Sequence, residues 1–121
     1  MMAFSGQIPK LISRLTELTK EGKVAWQETP KFESFMAPVG DFVITISKGG
    51  SALYGGYSLE ISDHKARTVD TAVATFVGPE RDSAGHANWQ QLKNLHDLAR
   101  RSALNSDQAV SELLSSLEQI R

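Results

Sequence analysis

Hydrophobic spacing changes twice along this chain, from a helical period to a strand period and back, and few folds accommodate that order. In the first stretch, Ser5 to Gly22, the residues Ile8, Leu11, Ile12, Leu15 and Leu18 recur at i, i+3, i+4 and i+7. The spacing lines them along one stripe, while Lys10, Arg14, Glu17, Lys20 and Glu21 fill the other side, and this predicts an amphipathic helix. Pro9 falls in the first turn, where its missing N–H costs little, and Gly22 suits a left-handed stop.

From Lys23 to about Val77 the period drops to two. Val24 and Trp26, then Phe42, Ile44 and Ile46, then Tyr57, Leu59 and Ile61, then Val69, Thr71 and Val73 alternate with their neighbours. The runs are short and rich in β-branched or aromatic residues. Turn chemistry bounds them at Thr29-Pro30, Pro38 to Asp41, Gly49-Gly50 with Gly55-Gly56, and Asp63-His64-Lys65. The pattern predicts about four or five antiparallel strands joined as a meander, with one face on the core.

Residues 78–88 (GPERDSAGHAN) have loop composition. Two helices are predicted after them. Asn88 would cap the first, whose stripe is Trp89, Leu92, Leu95 and Ala99 with His96 and Leu98 at its flanks. Asn105 or Ser106 would cap the second, with Asp107 placed for the helix dipole and Ala109, Val110, Leu113, Leu114, Leu117 and Ile120 as its stripe. The turn between them is only Ser102 to Asn105, so they pack as a hairpin or a wide-angle corner. The expected architecture is one α+β domain over residues 1–121, with an N-terminal helix, an antiparallel β-meander and two C-terminal helices packed on one sheet face.

Composition narrows the chemistry. The formal net charge is −1, from 13 basic and 14 acidic residues, so no global field draws the chain onto nucleic acid or an anionic membrane. There are no cysteines, which removes disulfides, thiolate nucleophiles and zinc-thiolate sites and suits a reducing compartment. The start, MMAFSGQIPK, lacks a basic region followed by an apolar one, so no secretory signal is read there. Apolar runs of only a few residues are too short to cross a bilayer. The expectation is a cytoplasmic protein with no membrane partner.

Each motif of possible chemical interest has a structural explanation. His64, His86 and His96 fall in three different elements with no i, i+2 or i, i+4 pair, so no metal ligand set is assigned. His64 reads as a turn residue, His86 as a loop residue and His96 as a helix-flank side chain packing its ring on the sheet. Ser5, Ser51 and Ser83 lie near glycines, but none forms the G-x-S-x-G elbow. The segment Lys48 to Tyr57 (KGGSALYGGY) lacks the lysine and the following helix of a phosphate loop. It reads as a hairpin connection with an apolar tip, Ala52-Leu53-Tyr54. Residues Asp97 to Leu117 resemble a helix-turn-helix, yet Ala103 stands where glycine is usual. The exposed side of the second helix is acidic and hydroxylic there (Asp107, Gln108, Ser111, Glu112, Ser115, Ser116, Glu118), the wrong character for reading bases and phosphates.

Trp26 in the first strand, Tyr57-Ser58-Leu59-Glu60-Ile61-Ser62-Asp63 in a later one, and Leu98-Ala99-Arg100-Arg101-Ser102-Ala103-Leu104 before the last helix resemble a group of small bacterial α+β proteins over about residues 15–118. The resemblance implies the same architecture. That group has no established activity, so it implies neither site nor cofactor.

The functional expectation is a non-enzymatic binding or assembly module whose partner is a second copy, in a homodimer, or another protein. Val43, Thr45, Thr68, Ala72, Ala74 and Phe76 suggest a second sheet face with little charge, which a twin could cover. Leu53, Tyr54, Arg100 and Arg101 are the candidate partner contacts. No catalytic, cofactor or metal residue is assigned. A DNA-associated regulator using Arg100 and Arg101 ranks second. An enzyme ranks third and needs a pocket that collects His64, His86 or His96 with Asp63 or Asp70.

Overall fold

A computed structural model of the chain describes residues 6–49, 56–74 and 83–120. The elements run α1 (Ile8–Lys20), β1 (Gln27–Glu28), β2 (Ser34–Val39), β3 (Phe42–Lys48), β4 (Tyr57–Ser62), β5 (Thr68–Ala74), α2 (Ser83–Ala103) and α3 (Ser106–Glu118). The five strands form one antiparallel sheet in the order β1-β2-β3-β4-β5. This is the expected α+β architecture and the expected meander.

Helix α1 follows from its stripe. Ile8, Ile12 and Leu15 are buried, while Leu11 and Leu18 are partly so. Pro9 occupies the first turn, and Gly22 stops the helix at φ +74°. Its neighbour closes a backbone bond from Lys23 N to Leu18 O at 2.9 Å, which satisfies a terminal carbonyl. Thr19 joins the buried side unexpectedly. Its hydroxyl donates to Leu15 O at 2.7 Å and accepts from the Trp26 indole N–H at 2.9 Å, so the polar group enters the core with both needs met.

Two expectations for the sheet are corrected. Trp26 and Val24 are buried but precede the first strand, which is only Gln27–Glu28. The second strand covers Ser34–Val39, including Pro38, which the sequence reading placed in a turn. The turn is Gly40-Asp41 alone, with Val39 opposite Phe42 and Pro38 opposite Val43. In a two-residue hairpin the closing pair exchanges hydrogen bonds, so the nitrogen of Pro38 points away from β3. The short β1 reaches only Phe35 and Met36, so no ladder bond is lost at Pro38. Gly40, at φ +60°, has the left-handed geometry that the first central residue of a type II′ turn needs.

Register sorts the sheet into two faces. Ile44 lies between Ala37 and Ile61, Ile46 between Phe35 and Leu59, and Ala72 and Ala74 pair with Leu59 and Tyr57. These residues line the core face. Ala72 and Ala74, assigned from the sequence to the second face, are therefore buried in the core. A bulge between Ile61 and Ser62 shifts the register at the start of β5, and counting alternation from Thr68 misses that shift. The second face carries Met36, Val43, Thr45, Ser58, Glu60, Thr71 and Val73, with Glu60 its one ionisable residue among these.

Helix α2 crosses this core face and touches all five strands, and α1 packs along it. Leu92, Leu95, His96 and Ala99 are almost wholly buried. The helix starts at Ser83, not after Asn88. Asn88 is buried within it and already engaged rather than serving as its cap. A glycine and an asparagine cost roughly 1 kcal/mol or less each in a helix, and the cooperative gain from extending a packed helix exceeds that. The C-terminal pair meets the sheet through α2, because no residue of α3 is buried.

Thr19→Val keeps the shape of the α1 stripe and strands the Trp26 indole N–H in the core. Urea unfolding followed by tryptophan fluorescence is expected to show a loss of about 1–3 kcal/mol.

Candidate functional site

The residues with the most chemical potential meet where α2 passes over the start of β2 and the end of β3. Glu33 precedes β2 in the left-handed region, at φ 54°, a conformation costing a non-glycine residue roughly 1–2 kcal/mol. The geometry turns its carbonyl inward. That oxygen accepts from Lys48 N at 3.1 Å and from His96 Nε2 at 3.0 Å. A carbonyl can only accept, so Nε2 carries a proton and donates it. Nδ1 is buried and has no hydrogen-bond partner among the described residues.

Aromatic rings enclose His96. Its centroid lies 5.4 Å from Phe35 and 5.3 Å from Tyr57, with ring planes tilted near 58–59°. Tyr57 in turn meets Trp89 edge-on at 6.0 Å. Burial, with the negative charge of Asp97 second, pushes the Tyr57 phenol above its ordinary value. His96 thus packs its ring on the sheet as expected, but at the centre of the α2 contact rather than on its flank.

The carboxylate of Glu33 faces outward. It accepts from Arg100 Nε at 3.2 Å and lies 4.0 Å from His96 Nε2. Beside it opens a cleft of ≈ 630 Å³ lined by Phe32, Glu33, Lys48, Gly49, His96, Asp97 and Arg100. Asp97 is bound by Lys93 at 3.0 Å, and that contact raises the lysine above its ordinary value. Among the described residues no serine, threonine or tyrosine lines the cleft to act as a nucleophile. The buried imidazole of His96 has its N–H committed to a backbone carbonyl. As arranged, these groups clamp α2 to the β2–β3 end of the sheet.

The other residues singled out from the sequence are dispersed. His64 sits in the turn between β4 and β5. Next to it, Asp63 accepts from the backbone N–H of Arg67 and Lys65 and from the Arg67 guanidinium at 2.9 Å. The Arg67 backbone N–H chiefly, then its guanidinium and the Lys65 N–H, hold the Asp63 carboxyl below its ordinary value. Asp70 lies on β5 and accepts from Thr71 N. His64 and His96 are not brought together, and the side chain of His86 lies outside the described residues, as do Leu53 and Tyr54. Among the described residues no three His, Asp or Glu side chains converge as a metal-binding group. Arg100 is the clamp on Glu33, and Arg101 spans the α2–α3 corner to Asp107.

Sequence reading missed Glu33 and Lys48. Neither belongs to a motif, and a left-handed glutamate leaves no trace in hydrophobic spacing. The α3 helix supplies the other prominent surface. Val110, Leu113, Leu114, Leu117 and Ile120 are 52–71% exposed. Comparison with family models, curated proteins and solved structures finds no match to this chain.

His96→Ala is expected to cost about 2–4 kcal/mol by emptying a core position, whereas Arg100→Ala, which removes a half-exposed ion pair, should cost less than about 1 kcal/mol. Chemical denaturation of both variants distinguishes the buried pin from the surface clamp. The Asp63 carboxyl is lowered in the folded state, so its contribution is present above the ordinary carboxylate value and is lost as pH falls through the lowered one. The stability gap between the parent and Asp63→Asn should therefore be larger at pH 7 than at pH 3 in paired urea titrations.

Proposed function

We propose that this protein is a non-enzymatic assembly module that associates with itself through surface its own fold leaves open. The observation that carries the reading is α3, a helix with an apolar stripe and no buried residue. Scattered exposed leucines are ordinary, but four large apolar side chains on one short helix, with Ile120 just past its end, are a contiguous patch of the kind that marks an interaction surface.

The magnitudes support association. Fully burying such a side chain is worth about 1.5–3 kcal/mol, so five that are half exposed represent roughly 4–8 kcal/mol per copy. Two copies together supply roughly 8–15 kcal/mol, against an association cost of about 4–15 kcal/mol. Micromolar association needs a surplus of about 8 kcal/mol, which is reached when the gain lies near the upper end of its range and the cost near the lower end of its own. The second sheet face, with its threonines, serines and single glutamate, is the other low-charge surface, but its apolar side chains are smaller and more dispersed.

A DNA-binding reading has less support. Lys93, Arg100 and Arg101 are tied to Asp97, Glu33 and Asp107, so three of the cations it needs are already neutralised by neighbours. No helix among the described residues is long and apolar enough to cross a membrane, and the cysteine-free sequence favours a reducing, cytoplasmic setting.

Size-exclusion chromatography with light scattering at micromolar concentration should return a mass of at least twice the 13.3 kDa chain. The double variant Leu113→Glu, Leu117→Glu should run as a monomer with an unchanged circular dichroism spectrum. A monomeric parent protein would remove the reading.

A further inference from the structure

Resting on that assembly reading, we propose that α3 pairs antiparallel with the α3 of a second copy across a twofold axis. Val110, Leu113 and Leu117 in α3 and Ile120, two residues past its end, recur at intervals of three, four and three, the a and d spacing of a two-helix seam. All four are more than half exposed. When two such helices run in opposite directions about the midpoint between 113 and 117, Val110 of each copy faces Ile120 of the other. Leu113 likewise faces Leu117, so every large side chain meets another and the interface is self-complementary.

Charge selects this occupant over a foreign helix. Among the described residues the positions flanking the seam are Asp107, Ala109, Leu114 and Ser116, and only Asp107 is charged. Glu112 and Glu118 lie on the outer positions, and Asp107, at the first turn, is already bound by Arg101. Foreign partners are chosen by charged flanks that reward one sequence and repel others. Among the described residues the one charged flank is already paired, which leaves little for such a partner to read and little to repel a twin. Geometry selects the direction. The body of each copy is attached at the N-terminal end of α3, at Asn105. Antiparallel pairing about that midpoint sets the two attachment points, each ten residues from it, about 30 Å apart along the seam and opposes the helix dipoles. Parallel pairing would crowd the bodies side by side and align the dipoles.

The chain has no cysteine, so each engineered thiol is unique. Leu113→Cys and Leu117→Cys are made separately, checked for fold by circular dichroism, and oxidised mildly either alone or as an equilibrated mixture. The expected result is a covalent dimer from the mixture and none from either variant alone, because only unlike positions face each other. Covalent dimers from each variant alone would overturn the antiparallel arrangement. A parent protein that is dimeric by light scattering, with no cross-link in any sample, would place the interface elsewhere and leave only the assembly reading. A monomeric parent would overturn both.

Discussion

The contact of α2 with all five strands is the constraint on which the rest of this fold depends. An antiparallel meander of short strands has one face to bury and cannot do so alone. Leu92, Leu95 and Ala99 supply the apolar cover, set against Ile44, Ile46, Leu59 and the small Ala37, Ala72 and Ala74. The alanines on the sheet leave room for the leucines on the helix, which lets the two layers interdigitate at interior density. Helix α1 then packs along α2, and the Thr19–Trp26 bond ties its end to the chain entering the sheet.

His96 makes that contact specific. A fully apolar stripe could slide or rotate on the sheet at small cost, whereas an imidazole N–H needs a particular acceptor. The acceptor is Glu33 O, which is presented only because Glu33 adopts a left-handed backbone. The strain persists because Lys48 N and His96 Nε2 both bond the same carbonyl, so the surrounding structure determines it from two sides. Outside the core, Arg100 closes over the Glu33 carboxylate. The histidine, glutamate and arginine that meet here are thus engaged in holding a helix at one register.

Length explains why α3 differs. With 21 residues, α2 is about 31 Å long, and strands of six or seven residues span about 20–23 Å. The sheet is already covered when α2 ends. Its stripe continues in step across the corner, from Trp89, Leu92, His96, Ala99 and Ala103 to Val110, Leu113, Leu117 and Ile120. Beyond Ala103 there is no sheet left to receive it. Asn105, at φ 51°, breaks the helix there, and asparagine tolerates that left-handed conformation better than most residues. A helix that is amphipathic in sequence is therefore unsatisfied within its own chain.

Spacing alone was enough to read the three helices, the meander and the stop at Gly22, because hydrophobic period and turn residues are local properties. Where local signals misled, tertiary packing had outvoted them: Pro38 lies in a strand because its nitrogen faces no partner, Asn88 is buried inside a helix, and a bulge carries Ala72 and Ala74 to the core face. The left-handed Glu33, its meeting with His96 and the clamp by Arg100 join residues more than sixty positions apart, and no local pattern encodes such a meeting. The sequence by itself determined which segments are amphipathic and with what period. Only the tertiary structure decided which stripes are buried, because burial depends on how far the sheet extends beneath them, and beneath α3 it does not extend at all.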